Sequence, residues 1–478
     1  MAPPSPGPSL SLPPPFHSLP RLLHPRHRLP LRRLLAAHAL AAVAGHLSLP
    51  DPRPHTLILA AYSRLARASP SSLLLFRSSL RLSVAPTRHT LPLAVSAASS
   101  AGPRHLPLAL SLHAVAVARN LLPSPHVANA LVSLYARHAL PGAARRVFEE
   151  MPSAPDVVSY NALVHAYVSA GRVRVARELF EAMPARDAVS WGTVVAGCAK
   201  AGWPEEAVGL FDRMRGENVR PDDVTLAAVL SCCAQLGALD KGREVHEYVR
   251  QTRPRPNVFL CTGLVDLYAK CGCVEAAMEV FEACPERNVF TWNALIVGLA
   301  MHGHGAVALE YFHRMLAHGI QPDGVTFLGV LIACGHAGLV NMARRIFSEM
   351  EDVHDVPREL KHYGCMADLL GRAGLIEEAM DMVRKMPMDG DSYVWGGILA
   401  GCRMHRNMEA AEVAARHLLQ LNPDDSGVYS AMAGIYADGG RWEDVARIRK
   451  LMDERIGRRN AGCSSIMADL KYGAPMQS

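Results

Sequence analysis

The chain has 478 residues, enough for two or three ordinary domains or for one long repeat array. Half of its residues are hydrophobic but only 6% are aromatic, a balance that suits small helices packed closely together. The formal net charge is +6, and residues 1–50 supply five Arg and no Asp or Glu. The remainder is therefore close to neutral, and its overall charge does not by itself indicate a nucleic-acid partner.

The first 50 residues are rich in Pro, Ser, Leu and Arg and contain no acid, which predicts an organellar transit peptide, cleaved or disordered in the mature protein. A basic amphipathic helix over 31–45 would favour mitochondria, whereas the Pro/Ser-rich start favours plastids. We expect a mitochondrial location, with the chloroplast as the alternative; an ordinary disordered tail also stays open. No run of 18 uncharged apolar residues occurs, so we expect no membrane partner.

An internal repeat follows, in which residues recur at a shift of 101. Trp191 corresponds to Trp292 and Gly202 to Gly303. The repeat divides into segments of 31, 35 and 35 residues, at 157–187, 188–222 and 223–257. A register kept over this length predicts a repeat architecture.

Each segment has the pattern of two short helices. Ala207, Leu210, Phe211 and Met214 are spaced i, i+3, i+4, i+7, which predicts one apolar stripe on a second helix. Gly202 lies between the two helices, where a glycine cap would turn the chain. Because such a pair buries its stripe only against a neighbour, the sequence predicts an all-α fold, a solenoid of stacked helix pairs.

The segment lengths and the motifs V-x-Y/W-N-A-L, A-G-x-x-x-x-A and F-x-x-M resemble those of pentatricopeptide repeat (PPR) proteins, and their alternation resembles the plant PLS subfamily. The resemblance covers roughly 52–459 and implies a right-handed α-solenoid of helix-turn-helix units. Residues 52–124 would be degenerate units and 125–391 the PLS array. The expected units are 52–87, 88–124, 125–156, 157–187, 188–222, 223–257, 258–288, 289–323, 324–359 and 360–391.

Residues 392–466 resemble the family's E-type extension. Within them, 461–466 read AGCSSI, similar to the P-G-C-S-W-I signature but with Ala461 and Ser465 as departures. We expect the cytidine-deaminase-like DYW domain, which follows this signature in related proteins, to be absent and 467–478 to be a disordered tail.

Catalytic motifs are missing from the sequence. A zinc deaminase needs H-x-E and C-x-x-C, and neither occurs. No P-loop, G-x-G-x-x-G, G-x-S-x-G or H-E-x-x-H occurs either. The eleven Cys have no metal-ligand spacing and are expected to be free thiols buried on helices. We expect no enzyme activity, no cofactor and no metal site.

The family resemblance implies base-reading residues at the fifth and last positions of each unit. An Asp only accepts hydrogen bonds, so it favours the N3–H of uracil or the N1–H of guanine, whereas an Asn also donates and serves adenine or cytosine. At the fifth position, Asn favours pyrimidines and Thr or Ser purines. The base-reading pairs would be Asn129 with Asp156, Asn161 with Asp187, Gly192 with Asp222, Thr262 with Asn288, and Asn293 with Asp323.

Three of these pairs, those of Asn with Asp, resemble uridine readers, and the Thr262 pair resembles an adenine reader. Gly192 has no side chain to read with, and units with Ala227/Asn257 or with Gly364 should discriminate poorly. The resemblance also implies base packing by second-position residues. These are Val158, Val189, Phe259 and Phe290, with Val224 and Val325 at the equivalent places.

Each such residue has an ordinary structural alternative, because an Asn near a helix start is usually a cap and a Val is usually core. Three functions therefore stay open. The first is an organellar single-stranded RNA-binding factor that selects C-to-U editing sites and recruits a DYW-type deaminase or other editing proteins in trans. The second is RNA stabilisation, splicing or translation. The third is a protein-binding scaffold, disfavoured because the repeat lacks a uniform 34-residue period.

Overall fold

The computed structural model describes residues 38, 39, 41, 52–63, 69–81, 84–100, 106–151, 155–253 and 255–456. Between Pro52 and Ile456 the described residues form 24 helices and no strand, which confirms the all-α prediction. Apart from residues 38, 39 and 41, the predicted transit peptide lies outside the described residues. The signature at 461–466 and the tail at 467–478 also lie outside them.

The chain divides into two compact units, residues 1–236 and 237–478. The first unit contains helices α1 to α11. Their bounds are α1 Pro52–Ser63, α2 Ser69–Arg81, α3 Thr90–Ser100, α4 Leu106–Ala118, α5 Pro125–Arg137, α6 Pro141–Glu149, α7 Val157–Ser169, α8 Val173–Glu181, α9 Ala188–Lys200, α10 Pro204–Gly216 and α11 Asp223–Leu236.

The second unit contains helices α12 to α24. Their bounds are α12 Leu239–Thr252, α13 Val258–Lys270, α14 Val274–Ala283, α15 Val289–Met301, α16 Gly305–Ala317, α17 Gly324–Ala337, α18 Val340–Asp352, α19 Leu360–Arg372, α20 Ile376–Lys385, α21 Ser392–His405, α22 Met408–Leu421, α23 Ser426–Asp438 and α24 Trp442–Ile456.

The hairpin of α9 and α10 shows how the sequence builds a repeat. Gly202 has φ +77° between the helices, a left-handed conformation that a β-carbon would strain, so the predicted glycine turn is confirmed. Pro204 opens α10, where its missing N–H costs nothing. The predicted stripe of α10 is buried, from Ala207 to Met214.

Within each compact unit, the first helix of a hairpin packs against the first helix of the next hairpin. This row runs α1, α3, α5, α7, α9, α11 in one unit and α13, α15, α17, α19, α21 in the other. Second helices contact the first helices of their own and the following hairpin, as α8 contacts α7 and α9. Each unit therefore has a layer of first helices and a layer of second helices, the stacking expected of a solenoid.

Equivalent aromatic pairs fill the core at equivalent places of the repeat. Trp191 meets Phe180 edge to face with ring centroids 4.7 Å apart, and Trp292 meets Phe281 at the same distance. Both Trp side chains are almost fully buried. The 101-residue shift seen in the sequence is thus a repeat of packing geometry.

Cysteines behave as the sequence predicts: the ten in the described part of the chain are free thiols, and eight of them are buried. Burial raises the pKa of the Cys198 and Cys334 thiols to about 11, which keeps them protonated near neutral pH. Among the described helices, none has the length and apolar content that a membrane crossing requires.

Candidate nucleic-acid interface

The last residue of a repeat is the N-cap of the first helix of the next repeat. Oδ1 of Asp187 accepts a hydrogen bond from the backbone N–H of Ser190 at 2.8 Å, which caps α9. Asp156 caps α7 in the same way, with the N–H of Ser159 at 2.8 Å. Asn288 also caps its helix, α15. The predicted base-reading residues at last positions therefore hold a structural role as well.

Three predicted Asn–Asp pairs are in contact in the structure. The Nδ2 of Asn161 donates to Oδ1 of Asp187 at 3.0 Å. The Nδ2 of Asn293 donates to Oδ1 of Asp323 at 2.9 Å, and the corresponding distance in the Asn129 pair is 3.4 Å. Each contact joins the fifth residue of one hairpin to the cap of the next.

Residues at the third position were missed by the sequence reasoning, and they complete this network. The Ser159 hydroxyl lies 2.7 Å from Oδ1 of Asn129, and the Thr326 hydroxyl donates to Oδ1 of Asn293 at 2.6 Å. Ser159 and Thr326 are fully buried. The sequence signal was the spacing of a hydroxyl residue three places after an Asp or Asn, typical of reciprocal capping.

Asn161 differs from the other two Asn residues. The Ser190 hydroxyl donates to Asp187 rather than to Asn161, and among the described residues the buried Oδ1 of Asn161 has no hydrogen-bond partner. Asn161 is half-buried, whereas Asn293 is only 5% exposed. The three pairs therefore share one geometry but present their amides to different extents.

The predicted Thr262–Asn288 pair is joined through a third residue. The Thr262 and Thr291 hydroxyls are 2.7 Å apart, and Thr291 donates to Oδ1 of Asn288 at 3.1 Å. The Thr262 hydroxyl also lies 2.8 Å from the Val258 carbonyl oxygen. A hydroxyl thus stands where the other pairs place an amide.

Two glycines at fifth positions leave space that neighbours fill. A β-carbon on Gly192 would lie 2.7 Å from Oγ1 of Thr225, which donates to Oδ1 of Asp222 at 2.6 Å. At Gly364, the ring of Tyr393 occupies the corresponding place. Neither unit therefore places a side-chain amide at its fifth position.

Second-position side chains are exposed although they are apolar. They lie on first helices next to buried residues such as Trp191, so the alternative that they belong to the core is wrong. Their exposed fractions are Val158 60%, Val189 59%, Val224 67%, Phe259 70%, Phe290 64% and Val325 43%. A regular series of exposed apolar side chains is a feature of binding surfaces.

Ionised carboxylates are favoured at the three Asn–Asp pairs. The hydroxyl of Ser159 is the main cause that lowers the pKa of Asp156. Burial opposes ionisation at Asp187 and Asp323, but hydrogen bonds from the backbone and from the paired Asn outweigh it and lower both pKa values. These carboxylates therefore act as acceptors near neutral pH.

One oxygen of each carboxylate stays available. The capping and amide hydrogen bonds of Asp156, Asp187 and Asp323 all go to Oδ1. Among the hydrogen bonds described for these three side chains, none ends on Oδ2. The site thus offers a fixed, charged acceptor beside an amide and an exposed apolar side chain. No group of three or more His, Cys, Asp or Glu in the described residues could hold a metal ion.

Comparison with protein families matches this chain to two kinds of family model. The first, the PPR repeat, matches 127–154, 153–184, 186–235, 259–289, 287–336, 325–353 and 361–391. The second, the E motif, matches 405–467, of which 457–467 lie outside the described residues.

Several curated plant proteins are similar to this chain in sequence. Pentatricopeptide repeat-containing protein At5g61800 of Arabidopsis thaliana is 45% identical over 84% of this chain and 81% of its own length. From the same plant, At2g22410, mitochondrial, is 47% identical over 55% of this chain and 38% of its length. At1g08070, chloroplastic, is 39% identical over 65% of this chain and 42% of its own length.

Among solved structures, the crystal structure of the pentatricopeptide repeat protein PPR10 from maize is 20% identical, with a TM-score of 0.46, over 91% of this chain and 72% of that chain. The repeat matches and the identity to At5g61800 over most of both chains establish the family. The chain belongs to the pentatricopeptide repeat family and carries an E motif, which agrees with the expectation that it is not an enzyme.

Proposed function

We propose that this pentatricopeptide repeat protein binds single-stranded RNA and selects its sequence one base per repeat. The observation that carries the proposal is the recurring Asn–Asp pair, in which Oδ1 caps a helix and Oδ2 stays open to a ligand. A base presents an N–H donor on its Watson–Crick edge to such an acceptor. The fixed position of the carboxylate reduces the entropy lost when the base binds.

The pairs suggest a partial base order. An ionised Asp beside an Asn amide suits uracil, which offers one N–H donor between two carbonyl acceptors. Thr262 with Asn288 suits adenine, because Nδ2 of the Asn amide can donate to a ring nitrogen while its Oδ1 caps the helix. Gly192 with Asp222 has no second reading group. The uracil readers would be Asn129 with Asp156, Asn161 with Asp187, and Asn293 with Asp323.

Exposed second-position side chains would pack against the bases. Stacking of a base on an aromatic side chain contributes about 1–3 kcal/mol and is tolerant of sequence. Phe259 and Phe290 offer this face in the second compact unit. Val158 and Val189 offer smaller apolar faces in the first.

An organelle, the mitochondrion by preference, is the proposed location. The relatives At2g22410 and At1g08070 are labelled mitochondrial and chloroplastic. The basic, acid-free stretch at 1–50 is compatible with import into either organelle.

The finer proposal is that the protein is a site-recognition factor for C-to-U RNA editing and recruits a DYW-type deaminase in trans. The match of 405–467 to the E motif supports it, together with the alternating unit lengths. Sequencing of organellar transcripts from a null mutant is the test. Loss of editing at one or a few cytidines supports the proposal, whereas unchanged editing with altered introns or transcript ends would assign the protein to splicing or stabilisation.

RNA binding itself is tested by selection of short RNAs from a random pool with the whole protein. We expect enrichment of uracils at fixed spacing, and loss of this enrichment in the variant Asn161→Ala plus Asn293→Ala. A matched control is Asn422→Ala, which removes an amide that lies between α22 and α23 in the E motif rather than at a fifth position. Absence of any RNA enrichment would favour the protein-binding scaffold.

A further inference from the structure

The near-neutral charge of the chain beyond residue 50 hides a strong asymmetry. Residues 52–148 contain eleven Arg and no Asp, Glu or Lys. Residues 149–478 contain 34 Lys and Arg against 43 Asp and Glu. The first three hairpins, α1 to α6, are therefore a cationic segment ahead of an acidic remainder, and the sum of charges conceals both.

The register of the second of these hairpins is fixed by the capping geometry seen in later repeats. Thr87 and Thr90 cap each other, with the Thr87 N–H donating to Oγ1 of Thr90 at 2.8 Å and the Thr90 N–H to Oγ1 of Thr87 at 3.1 Å. Thr90 is buried, as Ser190 is at the same place of its repeat. His89 therefore occupies the second position, where Val189 lies in the later repeat.

The second-position residues are basic or polar in the early repeats and apolar in most of the later ones. In the first three hairpins they are Arg53, His89 and His126, all exposed. From Val158 onwards they are apolar and comparably exposed, apart from the last unit, which has Lys361. The face that offers apolar surface to bases in the later repeats thus carries cationic or titratable groups at its beginning.

Fifth and last positions of the first two hairpins also lack the reading pair. Residues 52–87 carry Thr56 and Thr87, and 88–124 carry Pro92 and Ser124. The Pro92 ring has no group that can donate or accept a hydrogen bond. No Asn–Asp contact is possible in either hairpin, so neither can choose a base by the arrangement seen at Asn161. The third hairpin differs, because it carries the Asn129 pair.

We propose that the first two hairpins, α1 to α4, bind the phosphate backbone of the RNA beyond the base-reading pairs, without choosing bases. This inference rests on the proposed function. Arg53 occupies the second position of its hairpin, Arg88 precedes His89, and both side chains are exposed. Apart from Asp51, the sequence contains no Asp or Glu before Glu149. Guanidinium groups bind phosphate oxygens in fork geometry, and the release of counterions makes such binding favourable and dependent on salt.

The test compares two kinds of RNA. The core RNA carries only the bases that the Asn–Asp and Thr–Asn pairs select, and the extended RNAs add about four nucleotides at one end or the other. Two hairpins would cover about two nucleotides at one per repeat, so this length leaves a margin. We expect extension at one end to tighten binding, whatever its base composition. The full-length variant Arg53→Gln plus Arg88→Gln should lose roughly tenfold of this gain near physiological salt. Its slope of log affinity against log salt should fall by about 1.4, from two lost phosphate contacts at about 0.7 each.

The matched control is Arg77→Gln plus Arg81→Gln. These exposed side chains lie on α2, a second helix, and the change removes the same charge from the same segment. The control should bind the extended RNA within about twofold of the wild type, because bulk charge contributes little across a Debye length near 8–10 Å. Equal weakening by both variants would overturn the inference, since charge alone would then explain the gain.

The outcomes separate the inference from the proposed function. If the core RNA binds with base preference but neither extension tightens binding, the inference is overturned and the proposed function stands. If only extended RNAs bind, without base preference, the proposed function fails and the inference stands. If no RNA binds, both fail. Circular dichroism of each variant confirms that the helices are intact.

Discussion

Asn161 and Asp187 are the fifth and last residues of one repeat, and Oδ1 of Asp187 joins Asn161 to the first helix of the next repeat. Oδ1 of Asp187 accepts the Nδ2 hydrogen of Asn161 at 3.0 Å and the backbone N–H of Ser190 at 2.8 Å. The carboxylate is thus fixed from both sides while Oδ2 stays open. The cap that starts one helix and the group proposed to read a base are the same side chain.

This double role limits which residues can stand at the last position. The strongest N-caps are Asp, Asn, Ser and Thr, because a short side-chain oxygen reaches the N–H two or three residues ahead. Among the described last residues, Asp156, Asp187, Asn257, Asn288 and Asp323 cap the next helix and belong to this set, whereas Glu359, the N-cap residue of α19, does not. A change of base preference is therefore compatible with the fold when it exchanges one cap for another.

The first prediction separates the cap from the charge. Asp187→Ala removes the cap of α9 and should lower the free energy of unfolding by about 1 kcal/mol. Asp187→Asn should leave it nearly unchanged, because Asn288 caps α15 with the same geometry. Chemical denaturation of the two variants measures this. Equal destabilisation by Ala and Asn would show that the charge, rather than the cap, matters for stability.

The second prediction concerns the exposed aromatic residues. Phe259→Ala plus Phe290→Ala should weaken RNA binding by about 1–3 kcal/mol per lost stacking contact. The thermal midpoint should stay close to that of the wild type, because the two side chains are 70% and 64% exposed. Val353→Ala is a control, since Val353 is 67% exposed but follows a second helix. Unchanged RNA affinity in the double variant would contradict base packing.

The third prediction concerns the repeated aromatic core. Trp292→Ala should cost about 3–5 kcal/mol, because the side chain is 1% exposed and packs on Phe281. Trp442→Ala, at a Trp that is 68% exposed, should cost less than about 0.5 kcal/mol. Denaturation curves for the two variants give the comparison. A small effect at Trp292 would mean that the hairpins are held by other contacts.

The fourth prediction concerns pH. The pKa of Asp187 is lowered in the fold, so its ionised form and the associated stability are complete above the ordinary Asp pKa near 3.9 and are lost as pH falls through the folded pKa. Preference for uracil over cytosine should therefore be the same at pH 7 and at about pH 5. Competition binding at the two pH values measures this. A loss of preference by pH 5 would show that the carboxylate is protonated in the complex.

Much of the fold follows from the sequence because it depends on local rules. The glycine turn at Gly202 and the stripe on α10 need only helix periodicity and the left-handed preference of glycine. The contact between Asn161 and Asp187 could be anticipated only by resemblance to a family. Its distance depends on how α7 and α9 stack, which no single helix determines.

Other features of the site depended on tertiary placement. The hydroxyl of Ser159 bridges toward Asn129, 30 positions away, and Tyr393 fills the space at Gly364. The apolar second-position residues read as core in isolation, yet Val189 lies on the exposed side of a helix whose Trp191 is buried. Successive residues of a helix point about 100° apart, so an exposed residue can lie two positions from a buried one. The amino-acid composition of the helix does not show which of the two is exposed.

The most direct test of base reading uses Asp187→Asn, which keeps the cap and replaces an acceptor by an amide. Affinities of the wild type and the variant are measured for RNAs in which single positions are changed from uracil to cytosine. We predict one position at which the wild type prefers uracil and the variant prefers cytosine, with all other positions unaffected. A variant that keeps the uracil preference at every position, or that loses affinity for all RNAs equally while remaining folded, would contradict the account.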